Sequence, residues 1–376
     1  MTEPVEIAAE ARQIARGWSG PAAPPSWWLT AALFDGIARD DELVARLADL
    51  PAERLPALLA SAAILDLARR DPTGGLAPYL PHPGRPQPHD DGGFAAALTS
   101  FCRATRDAIV ERCRDRRYQM SEVRRSAQVA LGLTAVSDPD RPIALVDIGA
   151  GAGFGLRLDR YGYAVGDTVV APSAPADGPS LTLRCEVRGG TPPAVQLPPI
   201  AERVGIEVAP LDLDAADDRA WLLACTPPEA GAIDRVAAAT EVARAHPARV
   251  VAGDAVDALP DVLAALPRDL PIVVVDSYVT VFLDDERRRA LAAAMAAAAE
   301  LRSVTWLALD PLVPLGPDGR DSVQAITVPD AVLDHRADGV FAVLGAWDAG
   351  TGRGEVLARA HPSGEWIDWV AAATPG

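Results

Sequence analysis

Asp147-Ile148-Gly149-Ala150-Gly151-Ala152-Gly153 is the stretch on which the reading of this chain turns. It continues Ile143-Ala144-Leu145-Val146, a short apolar run bounded by turn residues, which is how a buried parallel strand reads. A strand that ends in an acid and passes through a glycine turn into a helix makes a phosphate or nucleoside site. The glycines allow a tight turn and close approach of a ligand, and the helix start offers free N–H groups. The same turn without a ligand is the plain alternative, since such motifs are weak alone. The dinucleotide fingerprint does not fit. Counted from Gly149 its last position falls on Phe154, and from Gly151 on Leu156, where glycine or alanine is needed.

Working outward, similar apolar runs recur at 204–208, 249–252, 272–275 and 304–309, with helical stretches at 215–224, 230–245, 257–266 and 284–302. Alternating strands and helices predict a mostly parallel sheet covered on both faces. The runs 340–344 and 355–359 flank Gly350-Thr351-Gly352 and predict an antiparallel hairpin. Residues 162–202, with Leu181-Thr182-Leu183-Arg184-Cys185-Glu186-Val187, read as an inserted strand pair at a sheet edge. Upstream, residues 1–70 carry apolar positions at helical spacing, a proline-rich loop spans 72–93, and two helices are expected near 93–115 and 119–135. The predicted organisation is an all-helical domain over 1–138 and an α/β, Rossmann-like domain over 139–376.

Composition narrows the function. The formal net charge is -17, which repels a phosphate backbone and argues against nucleic acid as a partner. There is no lysine, so every fixed positive charge is an arginine. Cys102, Cys113, Cys185 and Cys225 are widely spaced and predict buried reduced thiols, not a zinc site or disulfide framework. The first residues lack the pattern of a signal peptide, and no apolar stretch reaches a membrane span of ~18 residues. A cytoplasmic protein with a small-molecule ligand is expected, and a homodimer is compatible with the sequence.

The stretch around Asp147 resembles the first motif of class I S-adenosylmethionine-dependent methyltransferases, and the resemblance runs over roughly 143–369. It implies a mostly parallel sheet with an antiparallel C-terminal hairpin, and S-adenosylmethionine as cofactor beside Asp147, Gly149, Gly151 and Gly153. An acid at the end of the second strand would hold the ribose, and Glu207 is the match, with Asp212 as competitor. Asp254, followed by Ala255, matches the acid beside the adenine. Asp276-Ser277-Tyr278 stands where the family faces methyl donor and acceptor. Carboxylates suit these roles because they accept hydrogen bonds from hydroxyls and an exocyclic amine.

Nearly the whole chain also resembles an uncharacterised bacterial family, domain of unknown function 2332. The likeness rests on Gln119-Met120-Ser121-Glu122-Val123-Arg124-Arg125, Asp159-Arg160-Tyr161-Gly162-Tyr163, Arg184-Cys185-Glu186-Val187-Arg188-Gly189 and Pro210-Leu211-Asp212. The chain departs from that family's pattern at 120, 121, 155 and 276. In the first stretch Glu122 and Arg125 are three apart, predicting a pair on one helix face; a solvated ion pair is the plain alternative, and the resemblance at Gln119, Glu122 and Arg125 implies a role on the acceptor side of the pocket.

The expected function is methyl transfer to a small molecule, with Asp276, Tyr278 or His335 as base where the acceptor must lose a proton. A cofactor-binding accessory protein without turnover is the alternative, as is the same fold used for other chemistry. His82 and His89 read as residues of a solvated loop rather than a metal site. His246 reads as a helix-end cap. No G-x-S-x-G elbow is present, which argues against a hydrolase of that kind.

Overall fold

Every side chain of Ile143–Ile148 is buried in the computed structural model of the chain, as a central strand covered on both faces requires. The structure describes residues 3–19, 25–86, 88–174, 178–228, 231–311, 313–315, 320–323, 326–335 and 341–371. The chain divides into two compact units, one of Met1–Ser121 with Leu211–Thr240, the other of Glu122–Pro210 with Glu241–Gly376.

In the first unit lie α1 (Pro4–Gly17), α2 (Trp28–Arg39), α3 (Asp41–Leu47), α4 (Pro56–Arg70) and α5 (Phe94–Asp115). The second unit opens with α6 (Arg125–Val136), followed by β1 (Ile143–Ile148), β2 (Gly162–Val165), β3 (Thr168–Val170), β4 (Thr182–Gly189) and β5 (Ile200–Glu207). The chain then adds α7 (Ala216–Cys225) and most of α8 (Ala232–Ala245) to the first unit. Next come β6 (Arg249–Ala252), α9 (Ala255–Ala265), β7 (Ile272–Ser277), α10 (Asp285–Ala299) and β8 (Val304–Pro311). Last come β9 (Val313–Leu315), β10 (Arg320–Val323), β11 (Ile326–Thr327), α11 (Asp330–Leu333), β12 (Ala342–Asp348), β13 (Arg353–Ala360) and β14 (Trp366–Trp369).

Helix starts follow their capping chemistry. Asp40 and Asp284 each accept a backbone N–H at 2.9 Å, from Leu43 and Arg287, and so satisfy a donor the helix cannot. The core of the first unit gathers Ile7, Leu33, Leu43, Leu59 and Ile64 with Trp221 of α7. Beside it Asp66, fully buried, accepts from Arg70 Nε at 3.0 Å and Arg112 Nε at 2.9 Å. Asp217 of α7 joins the same arginines and Arg116.

The second unit is mixed α/β around an eleven-stranded sheet of order β3-β2-β4-β14-β13-β12-β8-β7-β1-β5-β6. The pairs from β8 to β6 are all parallel, while β12 and β13 form the expected antiparallel hairpin. Val146, Val274 and Trp306 point to one face, where α9 and α10 supply Leu259, Leu263, Leu291 and Met295. On the other face α6 packs so closely that a Cβ on Gly132 would lie 2.8 Å from Leu307 Cδ1.

Three features differ from expectation. The segment after the glycine turn is not an α-helix but a 3-10 segment, Phe154–Arg160. Arg157 leaves helical geometry there and folds back, donating to the Gly153 carbonyl at 2.5 Å and the His246 carbonyl at 3.0 Å. The insertion contributes three strands, β2, β3 and β4, rather than a pair. Glu122 precedes α6 instead of lying inside it, because its carboxylate accepts the Arg124 N–H at 3.0 Å and the helix begins at Arg125.

Candidate functional site

The order of strands reverses beside β1, since β5 and β6 run off to one side and β7 and β8 to the other. In open parallel sheets that switch point, outside the carboxyl ends of the strands, is where ligands bind. Asp147 and the glycine turn stand at the end of β1, Glu207 at the end of β5, and Asp276 and Ser277 at the end of β7.

Gly149, Gly151 and Gly153 have φ of 66°, 54° and 70°, the left-handed region that L side chains avoid. At Gly149 a Cβ would also lie 2.4 Å from Val279 Cγ2. The turn is tied down by its neighbours. Ala150 N–H donates to the Ile206 carbonyl at 3.1 Å, and Gly151 N–H donates to Glu207 Oε2 at 2.8 Å. Glu207 Oε1 accepts the Ala209 N–H at 3.2 Å. Glu207, not Asp212, terminates the strand; Asp212 belongs to the first unit.

Asp147 is buried, and its carboxylate touches the backbone at Gly155, where a Cβ would lie 2.5 Å from Oδ2. Burial, then the nearby Glu207 carboxylate, push its carboxyl up to about 7, with Arg157 pulling the other way.

A second acid pair lies one strand away. Asp276 and Asp310 are both fully buried. Trp306 Nε1 donates to Asp276 Oδ2 at 2.5 Å. Thr280 donates its N–H to Asp310 Oδ2 at 3.2 Å, and its hydroxyl donates to the same oxygen. Burial, then the charge of Asp310, raise the Asp276 carboxyl well above the usual carboxylate range.

Ser277 Oγ and Tyr278 Oη are buried with no hydrogen-bond partner among the described residues. Tyr278 adopts φ 65°, uncommon for a residue with a side chain and a mark of local strain. Its hydroxyl is pushed up to about 12, chiefly by burial. The Arg125 guanidinium stacks 4.0 Å from its ring centre while Arg125 Nε donates to the Pro362 carbonyl at 2.6 Å. Glu122 lies 3.7 Å from Arg124 Nε.

Asp254 follows Gly253, whose N–H donates to the Glu207 carbonyl at 3.0 Å at the carboxyl end of β6; it caps α9 through the Val256 N–H at 2.9 Å and pairs with Arg287. Ala255 is the first residue of α9 and buried. His335 follows α11 and is half-buried. A groove along β2 and β4, lined by Tyr163, Arg184 and Glu186, contains none of the sequence-predicted residues. Among the described residues no helix is long and apolar enough to cross a membrane, and no group of three or more His, Cys, Asp or Glu side chains is placed to hold a metal.

Asp310, Trp306, Thr280 and Arg157 went unnoticed in the sequence. Asp310 had a signal, being the first acid after the fifth apolar run; the others are recognised only by what they touch.

Residues 22–369 match the family described as "Uncharacterized protein conserved in bacteria (DUF2332)", and the chain belongs to it. No curated protein matches the chain.

Proposed function

We propose that this member of the family binds S-adenosylmethionine at the glycine turn, on a Rossmann-like methyltransferase sheet, and serves methyl transfer to a small molecule. The observation that carries the reading is the pairing of three left-handed glycines at the switch point with carboxylates from two adjoining strands, Asp147 and Glu207. Such a site favours a cationic ligand with hydroxyls over a pyrophosphate, which would meet like charge.

Bound S-adenosylmethionine supplies an electrophilic methyl group on a sulfonium. Asp147 offsets positive charge at the turn. Glu207 exchanges its hold on the Gly151 N–H for ribose hydroxyls. Ser277 and Tyr278 carry the buried hydroxyls that still lack partners and orient an acceptor. The full burial of Asp276, whose Oδ2 accepts from Trp306 Nε1, favours acceptors that need no base, and it equally favours a second reading, cofactor binding without turnover.

Calorimetry with S-adenosylmethionine and its demethylated product tests this. Wild type is expected to bind and Gly151→Val to lose binding while keeping the wild-type circular dichroism, because a branched side chain at φ 54° distorts the turn. Glu207→Ala should cost about 1.5–3 kcal/mol of affinity, the scale of a hydrogen bond to a charged group, and Asp212→Ala nothing. Absence of binding by wild type would end the proposal. Binding with no demethylated product formed from any small-molecule acceptor tried would select the second reading.

A further inference from the structure

The turn His361-Pro362-Ser363-Gly364-Glu365 joins β13 to β14 and is held by three other stretches of the second unit. Gln128 Nε2 donates to the His361 carbonyl at 3.1 Å and to the Trp366 carbonyl at 2.8 Å. The Glu186 N–H donates to the Glu365 carbonyl at 2.8 Å. Gly364 has φ 79°, and a Cβ there would lie 2.5 Å from the Arg124 backbone, so glycine is what lets the turn sit against residue 124.

Within this frame the Ser363 N–H donates to His361 Nδ1 at 3.2 Å. A donor needs a lone pair, so Nδ1 is unprotonated and the imidazole hydrogen sits on Nε2. Ser363 Oγ lies 2.9 Å from the same Nδ1 and is therefore the donor of that bond. Glu365 Oε2 stands 3.9 Å from Nε2, on the side of the imidazole hydrogen. Arg124 Nη2 donates to Glu365 Oε1 at 3.1 Å and to Ser363 Oγ at 3.4 Å. A nucleophile bonded to a base, with the base oriented by a third group, is the arrangement that activates a serine, and roles rather than sequence order identify it.

We propose that Ser363 and His361 form a nucleophile–base pair, positioned by Glu365 and Arg124, that takes acyl groups from activated esters. Ser363 Oγ attacks the ester carbonyl and passes its proton to His361 Nδ1. The ester's alkoxide or phenolate leaves and receives that proton. Water then repeats the sequence, releasing the acid and restoring Oγ–H. Arg124 offsets the negative charge that gathers on oxygen during attack. Burial lowers the affinity of His361 for a proton, against the pull of Glu365, which keeps the ring available as a base at neutral pH. Ser363, His361 and Glu365 are each partly exposed, so a small ester reaches them. The proposal is independent of the cofactor reading, and its test contains no S-adenosylmethionine.

The full-length chain is treated with a fluorophosphonate, whose phosphorus takes the place of the carbonyl and releases fluoride, and the labelled peptide is mapped by mass spectrometry. One adduct per chain is expected, on Ser363. Ser363→Ala should take none, and His361→Gln should label at least ten-fold more slowly. Glu365→Gln should keep labelling but shift its pH profile, which a merely structural glutamate would not do. Hydrolysis of p-nitrophenyl acetate should follow the same order. No adduct on wild type, an adduct elsewhere, or equal labelling of Ser363→Ala overturns the proposal. If His361→Gln fails to fold, the wild-type profile decides: a labelling rate rising through the imidazole range supports the base, and a flat rate between about pH 5 and 8 overturns it.

Discussion

Asp66→Ala is expected to destabilise the first unit by about 3–5 kcal/mol, the cost of breaking a buried ion pair by removing one partner. Asp66 is fully buried and accepts from both Arg70 and Arg112, so its loss removes the carboxylate that the two guanidinium groups share. Asp217 then has to satisfy both while also holding Arg116. Urea unfolding is the check. The midpoint should fall with the slope unchanged, since the loss lies in the native state. Asp66→Asn, which keeps the shape and one acceptor, should cost less. A change below about 1 kcal/mol in the alanine variant, the scale of an exposed pair, would mean that the arginines find water instead.

Asp147→Asn should change how stability depends on pH. The carboxyl is pushed up to about 7 in the folded chain, whereas an unfolded aspartate titrates near 4. The native state therefore holds this proton more tightly. That contribution is fully present below about pH 4 and is lost as pH rises through about 7. A shift of this size corresponds to roughly 4 kcal/mol. Wild type should lose stability on that scale between about pH 4 and pH 8 relative to Asp147→Asn, measured by denaturation at a series of pH values. Parallel curves would show that Asp147 is solvated after all. A cation at the turn would draw the carboxyl back down, so affinity for S-adenosylmethionine should rise with pH over the same interval.

How much of this was legible in the sequence depended on whether a feature is local. β1, β7 and β8 could be read because a strand buried in a parallel sheet leaves an uninterrupted apolar run. Glu207 could be placed because an acid closing such a run marks the strand's carboxyl end. The 3-10 segment after Gly153 could not, because what replaces the helix is Arg157 reaching carbonyls at 243 and 246. The Asp276–Asp310 pair was hidden for a related reason. It depends on the β7–β8 register, which sets Asp276 opposite Ala308 and so brings Asp310 alongside. Ser363 was hidden because no strand-elbow-helix surrounds it; its setting comes from Arg124, far away in the chain and adjacent only once folded.

The position of β14 bears on how the chain is made. β14 lies between β13 and β4, and its parallel pairing with β4 is the step that joins the β2–β3–β4 block to the rest of the sheet. A ribosome delivers β4 long before it delivers residues 366–369. A nascent chain that has reached residue 360 thus holds two partial sheets, each with an open edge of unpaired backbone groups, which invites pairing with other chains. Chaperone demand should therefore peak late in synthesis and fall when Trp366–Trp369 emerges, so that ending the chain before β14 yields aggregates rather than a slightly shorter protein.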